Sequence, residues 1–127
     1  MNSVFYDNED VGLHNRQGGF AEVSNSIFRG HPGGSITSDN ESGANVEYSV
    51  VQGGYPGEGN IDANPSFKSP GDGNFKLNGT SPCIDAANGD EAPEHDANGK
   101  PRVDDPDTQN TGIGPPWADI GAHEYQS

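Results

Sequence analysis

Asn25-Ser26-Ile27-Phe28 has a counterpart on either side, Asn2-Ser3-Val4-Phe5 before it and Tyr48-Ser49-Val50-Val51 after it. The starts differ by 25 − 2 = 23 and 48 − 25 = 23, so the period is constant. The match extends backwards through Ala21-Glu22-Val23-Ser24 and Ala44-Asn45-Val46-Glu47, and the second and third copies exit at Gly30 and Gly53. A fixed period in the twenties signals stacked supersecondary units that share one core. In the second copy Ala21, Val23, Asn25 and Ile27 alternate with Glu22, Ser24, Ser26 and Phe28. Period 2 is that of a strand. Between the copies stand the pairs Gly18-Gly19, Gly33-Gly34 and Gly53-Gly54, turn residues that break helices and suit positive φ. A leucine-rich repeat would need regular leucines, and the chain has only Leu13 and Leu77. The expected fold is all-β, a right-handed parallel β-helix (solenoid) of about three coils with a loop-rich C-terminal cap. In it Ala21 would lie on Ala44, Val23 on Val46, and Val4, Ile27 and Val50 would form a core column.

Length and composition narrow the reading. The 127 residues suit one structural domain, with coils over 1–59 and a capping region over 60–127. A hydrophobic content of 28% beside 19 glycines and 10 prolines is thin for a compact globule, whereas a narrow solenoid core with many turns tolerates it. The net charge of −14 argues against nucleic acid, which demands a basic footprint, and against anionic membrane surfaces. No stretch approaches the length of a membrane-inserting helix. The single cysteine, Cys83, rules out an internal disulfide and leaves the compartment unread.

Met1 leads directly into a repeat copy, with neither signal nor anchor in view. The expectation is therefore the C-terminal piece of a longer solenoid, with any secretion signal upstream. An open first coil would expose unpaired strand edges, so a homodimer or other small closed oligomer through residues 1–28 is expected. Beyond Gly53 short strands are expected at Phe67, Phe75-Leu77 and Cys83-Ile84. A polar loop follows from Asn88 to Pro116, and the alternating segment Trp117–Tyr125 reads as a closing strand.

Four motifs carry a family resemblance: YSVVQGGYPGEGNIDANPSF (48–67), FKLNGTSPCIDAANGD (75–90), DANGKPRV (96–103) and DIGAHEY (119–125). In this order they resemble the C-terminal region of bacterial right-handed parallel β-helix surface proteins of the choice-of-anchor Q type. The resemblance implies a secreted or cell-surface parent protein and a structural or assembly role, although some related β-helices are polysaccharide lyases or hydrolases. Ala87-Asn88-Gly89 stands where that family usually has a single glycine, and the chain stops at Ser127 where the family continues into an anchoring segment.

Four candidate sites follow from residue chemistry. Asp85, Asp96, Asp119 and Glu124 near Arg102 read as an ion-pair and turn network tying the long loop to the last segment, because a guanidinium fork holds two carboxylates at once, with a catalytic carboxylate pair or a calcium site as the other reading. Asp90, Asp96, Asn98, Asp104, Asp105 and Asp107 supply the oxygens that calcium needs, and Asp96-Ala97-Asn98-Gly99 resembles the start of an EF-hand loop, although its twelfth position is Asp107 rather than glutamate. A transition metal would instead draw on His14, His31, His95 and His123, which show no metal-ligand spacing; their other reading is isolated surface histidines. Tyr48, Tyr55 and Trp117 are candidates for stacking on a polysaccharide, with core packing as the alternative. The functional classes that remain are a structural module, a carbohydrate-binding or carbohydrate-active face, and a metal-dependent hydrolase.

Overall fold

Residues one period apart pair as parallel strands in the computed structural model, which describes residues 2–8, 11–15, 20–31, 33–38 and 43–125. Strand β1 (Val4–Tyr6) pairs with β4 (Ile27–Arg29), and β4 with β7 (Val50–Val51), so that Val4, Ile27 and Val50 fall in one row. Strand β2 (Val11–Asn15) pairs with β5 (Gly34–Ser38), placing Leu13 beside Ile36. Strand β3 (Phe20–Ser24) pairs with β6 (Gly43–Glu47), placing Ala21 beside Ala44 and Val23 beside Val46. Strands β8 (Phe67–Ser69) and β9 (Asn74–Leu77) form an antiparallel pair joined by a 3-10 turn at Pro70–Asp72.

The expected right-handed parallel β-helix of about three coils is corrected by this topology. The described strands form one three-stranded sheet and three separate two-stranded sheets, and the last of these is antiparallel. A solenoid needs every coil to add a strand to every wall. Here only β1-β4-β7 collects all three repeats. Past Val51 the chain turns through Gly53 and Gly54, both at positive φ (90° and 85°), and the period ends, so among the described strands β5 and β6 gain no second partner.

The strict alternation read across residues 21–28 is also corrected. Asn2, Asn25 and Tyr48 occupy equivalent places in the three repeats, and each has positive φ (50°, 55° and 50°). Asparagine tolerates this left-handed backbone better than most residues. The bend separates β3 from β4 and resets the alternation. Fully buried Asn25 is satisfied on all sides: Nδ2 donates to Asn2 Oδ1 (3.2 Å) and to the Asn88 carbonyl (2.8 Å), while Oδ1 accepts from Asn88 N (2.6 Å). Beside it runs a serine row, with Ser3 N donating to Ser26 Oγ and Ser26 N to Ser49 Oγ, both at 3.2 Å. Tyr48 takes the same bend with its ring against Gly59, where a Cβ would lie 2.4 Å from Tyr48 Cδ1.

Because Ile27 and Phe28 are successive strand residues, they face opposite sides of the three-stranded sheet, and both are buried. Phe28 joins Val23, Val46 and Val51 in one cluster, with Phe5, Leu13 and Ile36 packed around it. Ile27 and Val50 join Cys83, Ile84, Ala86, Ala87, Ala118 and Ile120 in a second. The loop-rich half therefore lies along a face of the sheet, not only over an end. Cys83-Ile84 and Trp117–Tyr125 form turns and bends, not the expected strands. They are held together by Ile120 N to Cys83 O and Ala87 N to Ala118 O, both 3.0 Å. Contact with the sheet is made at Gly121, whose N–H donates to Asn25 O at 2.8 Å. Its φ is 104°, and a Cβ there would stand 2.8 Å from Ile27 Cδ1, so only glycine fits. Met1 and Gly18-Gly19 lie outside the described residues. No helix among the described residues is long and apolar enough to cross a membrane.

Candidate functional site

The structure brings Asp85, Arg102, Asp119 and Glu124 together, in the layer packed on the sheet. Asp85 has a left-handed backbone (φ 53°), and its carbonyl accepts from both Thr111 N (3.2 Å) and Gly112 N (3.0 Å). Its N–H donates to Asp119 Oδ1 (2.8 Å), and its Oδ2 accepts from Asp105 N (2.9 Å). Asp119 Oδ2 accepts from Tyr125 N (2.5 Å), and Asp119 N donates to Glu124 Oε2 (3.1 Å). Glu124 Oε1 accepts from Val103 N (2.9 Å), while Oε2 also receives Arg102 Nη1 (2.9 Å). Arg102 Nε donates to Pro93 O (2.9 Å), fixing the guanidinium in its plane. Finally, Glu124 N donates to Asp96 Oδ2 (2.8 Å), whose other oxygen accepts Asn98 N (2.8 Å) and Lys100 N (2.9 Å). Each carboxylate thus caps backbone amides of a segment far away in sequence. In a loop region with few strand ladders, this is where the backbone donors find their partners.

Asp85, Asp119 and Glu124 are all buried. Burial pushes Asp119 up to about 8, with the Glu124 charge adding to it against the amide bonds from Asp85 and Tyr125. Burial likewise pushes Asp85 up to about 6, opposed by the Asp105 amide. For Asp96 burial would raise the value, but amide donors from Glu124, Lys100 and Asn98 outweigh it and hold the carboxyl below its usual range. Burial also pushes the Cys83 thiol up to about 12, so it is no ready nucleophile.

These shifts set a pH dependence. Asp119 and Asp85 bind a proton more tightly in the folded chain than in the unfolded one. Their contribution is full below the ordinary carboxyl value of about 4 and is lost as pH rises through about 6 and about 8. Asp96 acts in the opposite sense, and its contribution is lost on acidification below its ordinary value. Stability should therefore be greatest in mildly acidic solution. Melting temperatures followed by circular dichroism should fall from pH 6 to pH 9, and Asp119→Asn should flatten that fall. An equal slope in the variant would remove Asp119 as its source.

Among the described residues, the one group of three or more metal-capable side chains is Asp85, Asp119 and Glu124, with one ligand atom from each within 4.8 Å of the others. Its oxygens are largely engaged by N–H donors; Asp85 Oδ1 is the buried one without a partner. Calcium takes six to eight oxygens, so this donor set fits an amide-capping role better than a calcium cage. The other acidic candidates do not converge. Asp90 and Asp104 are exposed, as is Asp107, whose N–H donates to Asp105 Oδ1 (3.4 Å). Asp105 is buried, and its Oδ2 accepts Thr108 Oγ1 (2.6 Å). Asn98 Nδ2 lies 3.3 Å from His123 Nδ1.

The four histidines form no such group. His14 on β2 bonds Thr37 Oγ1 (2.6 Å). Buried His31 accepts Asn8 N on Nδ1 (3.2 Å) and meets Phe5 O through Nε2 (3.0 Å), so both ring nitrogens are occupied. His95 is exposed and bridged to Pro101. The aromatic candidates are likewise dispersed. The Tyr48 hydroxyl donates to Glu58 Oε1 (3.0 Å), Tyr55 packs on the Phe28 cluster, and Trp117 covers Gly114, where a Cβ would lie 2.5 Å from its ring.

Sequence reading missed Asp105 as a member of the amide-capping chain, and Asn25 as its link to the sheet. Asp96-Ala97-Asn98-Gly99 carried a usable signal, since an Asp ahead of Asn-Gly commonly bonds the amide two residues on. No family model, curated protein or solved structure matches the chain.

Proposed function

We propose that this chain is a structural and assembly module without chemistry of its own, in which a carboxylate–arginine clasp holds a loop layer against a small parallel sheet. The observation that carries this reading is the use of the acidic oxygens. Asp85, Asp96, Asp119 and Glu124 are spent on backbone amides from segments that no strand ladder joins. Catalytic carboxylates need an oxygen directed at substrate, whereas these bond their own backbone, and the one oxygen without a partner, Asp85 Oδ1, is buried.

The test compares stability with turnover. Glu124→Gln should lower the melting temperature clearly, because Arg102 then loses its carboxylate, and the parent chain should release no reducing ends from neutral or acidic polysaccharides. A Glu124→Gln protein that melts like the parent but loses a measurable hydrolase or lyase activity would overturn the structural reading. A melting temperature that falls on chelation and returns with calcium would give these carboxylates a cation instead, by mass action on the folded state.

A further inference from the structure

The chain has only three lysines, Lys68, Lys76 and Lys100, and all three line one cavity of about 260 Å³. In a chain of net charge −14 such convergence is unexpected, because 20 acidic residues are available to separate the cations. Sheet register explains how two of them meet. Phe67 pairs with Leu77, both buried, and the exposed Lys68 and Lys76 are the next residues on the two strands, where the register shifts before Ser69 meets Asn74. Like charges gathered on neighbouring strands around one cavity repel. Lys100 reaches the same cavity from the loop layer, together with Asn98 and His123.

Among the described residues no carboxylate forms an ion pair with any of these ammonium groups; the ion pair present is Arg102 with Glu124. Two acidic residues do share the wall, but their oxygens are engaged. Asp96 accepts amides of Asn98, Lys100 and Glu124, and Glu124 is held by Arg102. The wall therefore offers three unpaired ammonium groups and polar side chains around a space of small-molecule size.

We propose that this cavity binds an oxyanion group, a carboxylate, sulfate or phosphate, carried by a ligand no larger than a monosaccharide. Such a group accepts from two or three ammonium donors at once, and its charge relieves the repulsion between Lys68 and Lys76. The volume falls just below the usual range for organic ligand pockets, roughly 300–1,000 Å³, which sets the size limit. This site is separate in function from the amide-capping clasp, and it stands whether or not the structural reading holds.

Isothermal titration of the full chain at low ionic strength tests it, with inorganic phosphate, sulfate and glucuronate as probes and glucose as the neutral control. At least one anion should bind saturably and glucose should not. Binding by phosphate or sulfate alone would assign the site to inorganic or ester oxyanions, and binding by glucuronate to sugar acids. Lys68→Gln with Lys76→Gln should weaken the bound anion by at least about tenfold, the loss typical of a charge-assisted hydrogen bond. Both lysines are exposed, so the variant should keep the parent circular dichroism spectrum. Without ligand it should melt no lower than the parent, because a repulsive pair is gone. Absence of saturable binding by all three anions, or equal affinity in the parent and the folded double variant, would overturn the proposal.

Discussion

Arg102→Met should destabilise the protein by about 3–5 kcal/mol, because it leaves the Glu124 carboxylate buried without its counter-charge. The side chains of Arg102 and Glu124 are 4% and 0% exposed, and they meet at 2.9 Å. Glu124 then retains only the amides of Val103 and Asp119, with the already crowded Asp119 carboxyl as its neighbour. A loss of that size is a large part of the 5–15 kcal/mol that typically separates folded from unfolded domains. The loop layer should loosen first, so proteolysis should cut between residues 88 and 116 before it reaches the strands. Adding Glu124→Gln to Arg102→Met should recover part of the loss, since the uncompensated charge disappears. Urea denaturation of the two single variants and the double variant measures this directly. If Arg102→Met cost less than about 1 kcal/mol, the pair would be no more than a surface ion pair, and the clasp would lie elsewhere.

Phe28→Ala should cost a similar amount, about 3–5 kcal/mol, through a different mechanism, the loss of apolar contact and the cavity left behind. Phe28 is fully buried, stacks on Phe5 with ring centroids 4.5 Å apart at 3°, and packs with Val23, Val46 and Val51. These neighbours come from three repeats, so collapse around the vacancy is restricted by the parallel pairing on both sides. Phe28→Leu keeps most of the volume and should cost about 1.5 kcal/mol or less. The two variants should also differ in kind from Arg102→Met. Their loss should not be relieved by a second substitution at Glu124, since the sites share no partner. A Phe28→Ala protein within about 1 kcal/mol of the parent would show that this cluster does not hold the strands together.

The repeat period is legible in the sequence alone. Identical spacing of Asn-Ser-Ile-Phe-like segments, with β-branched residues between glycine turns, demanded that residues one period apart become neighbours, and the parallel register obeys it. Local chemistry also indicated where the chain turns, as at Gly53 and Gly54, and that Asp85, Asp119, Glu124 and Arg102 lay in segments needing polar partners. The number of strands that each sheet would gather was not legible. Periodicity is a property of the copies present, and a wall closes only if later chain returns to it, which the segment beyond Val51 does just once, at Ile61.

The left-handed bend at Asn25 was hidden because a period-2 pattern looks unbroken whether or not the backbone turns between two of its residues. Tertiary structure decided three things that no local rule contains. The loop half covers a face of the sheet through Ile84 and Ile120. Asp96 and Asp105 join the clasp through amides 28 and 20 residues away. The three lysines, set as far apart as 68 and 100, converge on one cavity. Propensity and pattern act over a few residues, whereas burial and long-range hydrogen bonding are satisfied only by the whole chain at once, and it is those that assembled both the clasp and the cavity.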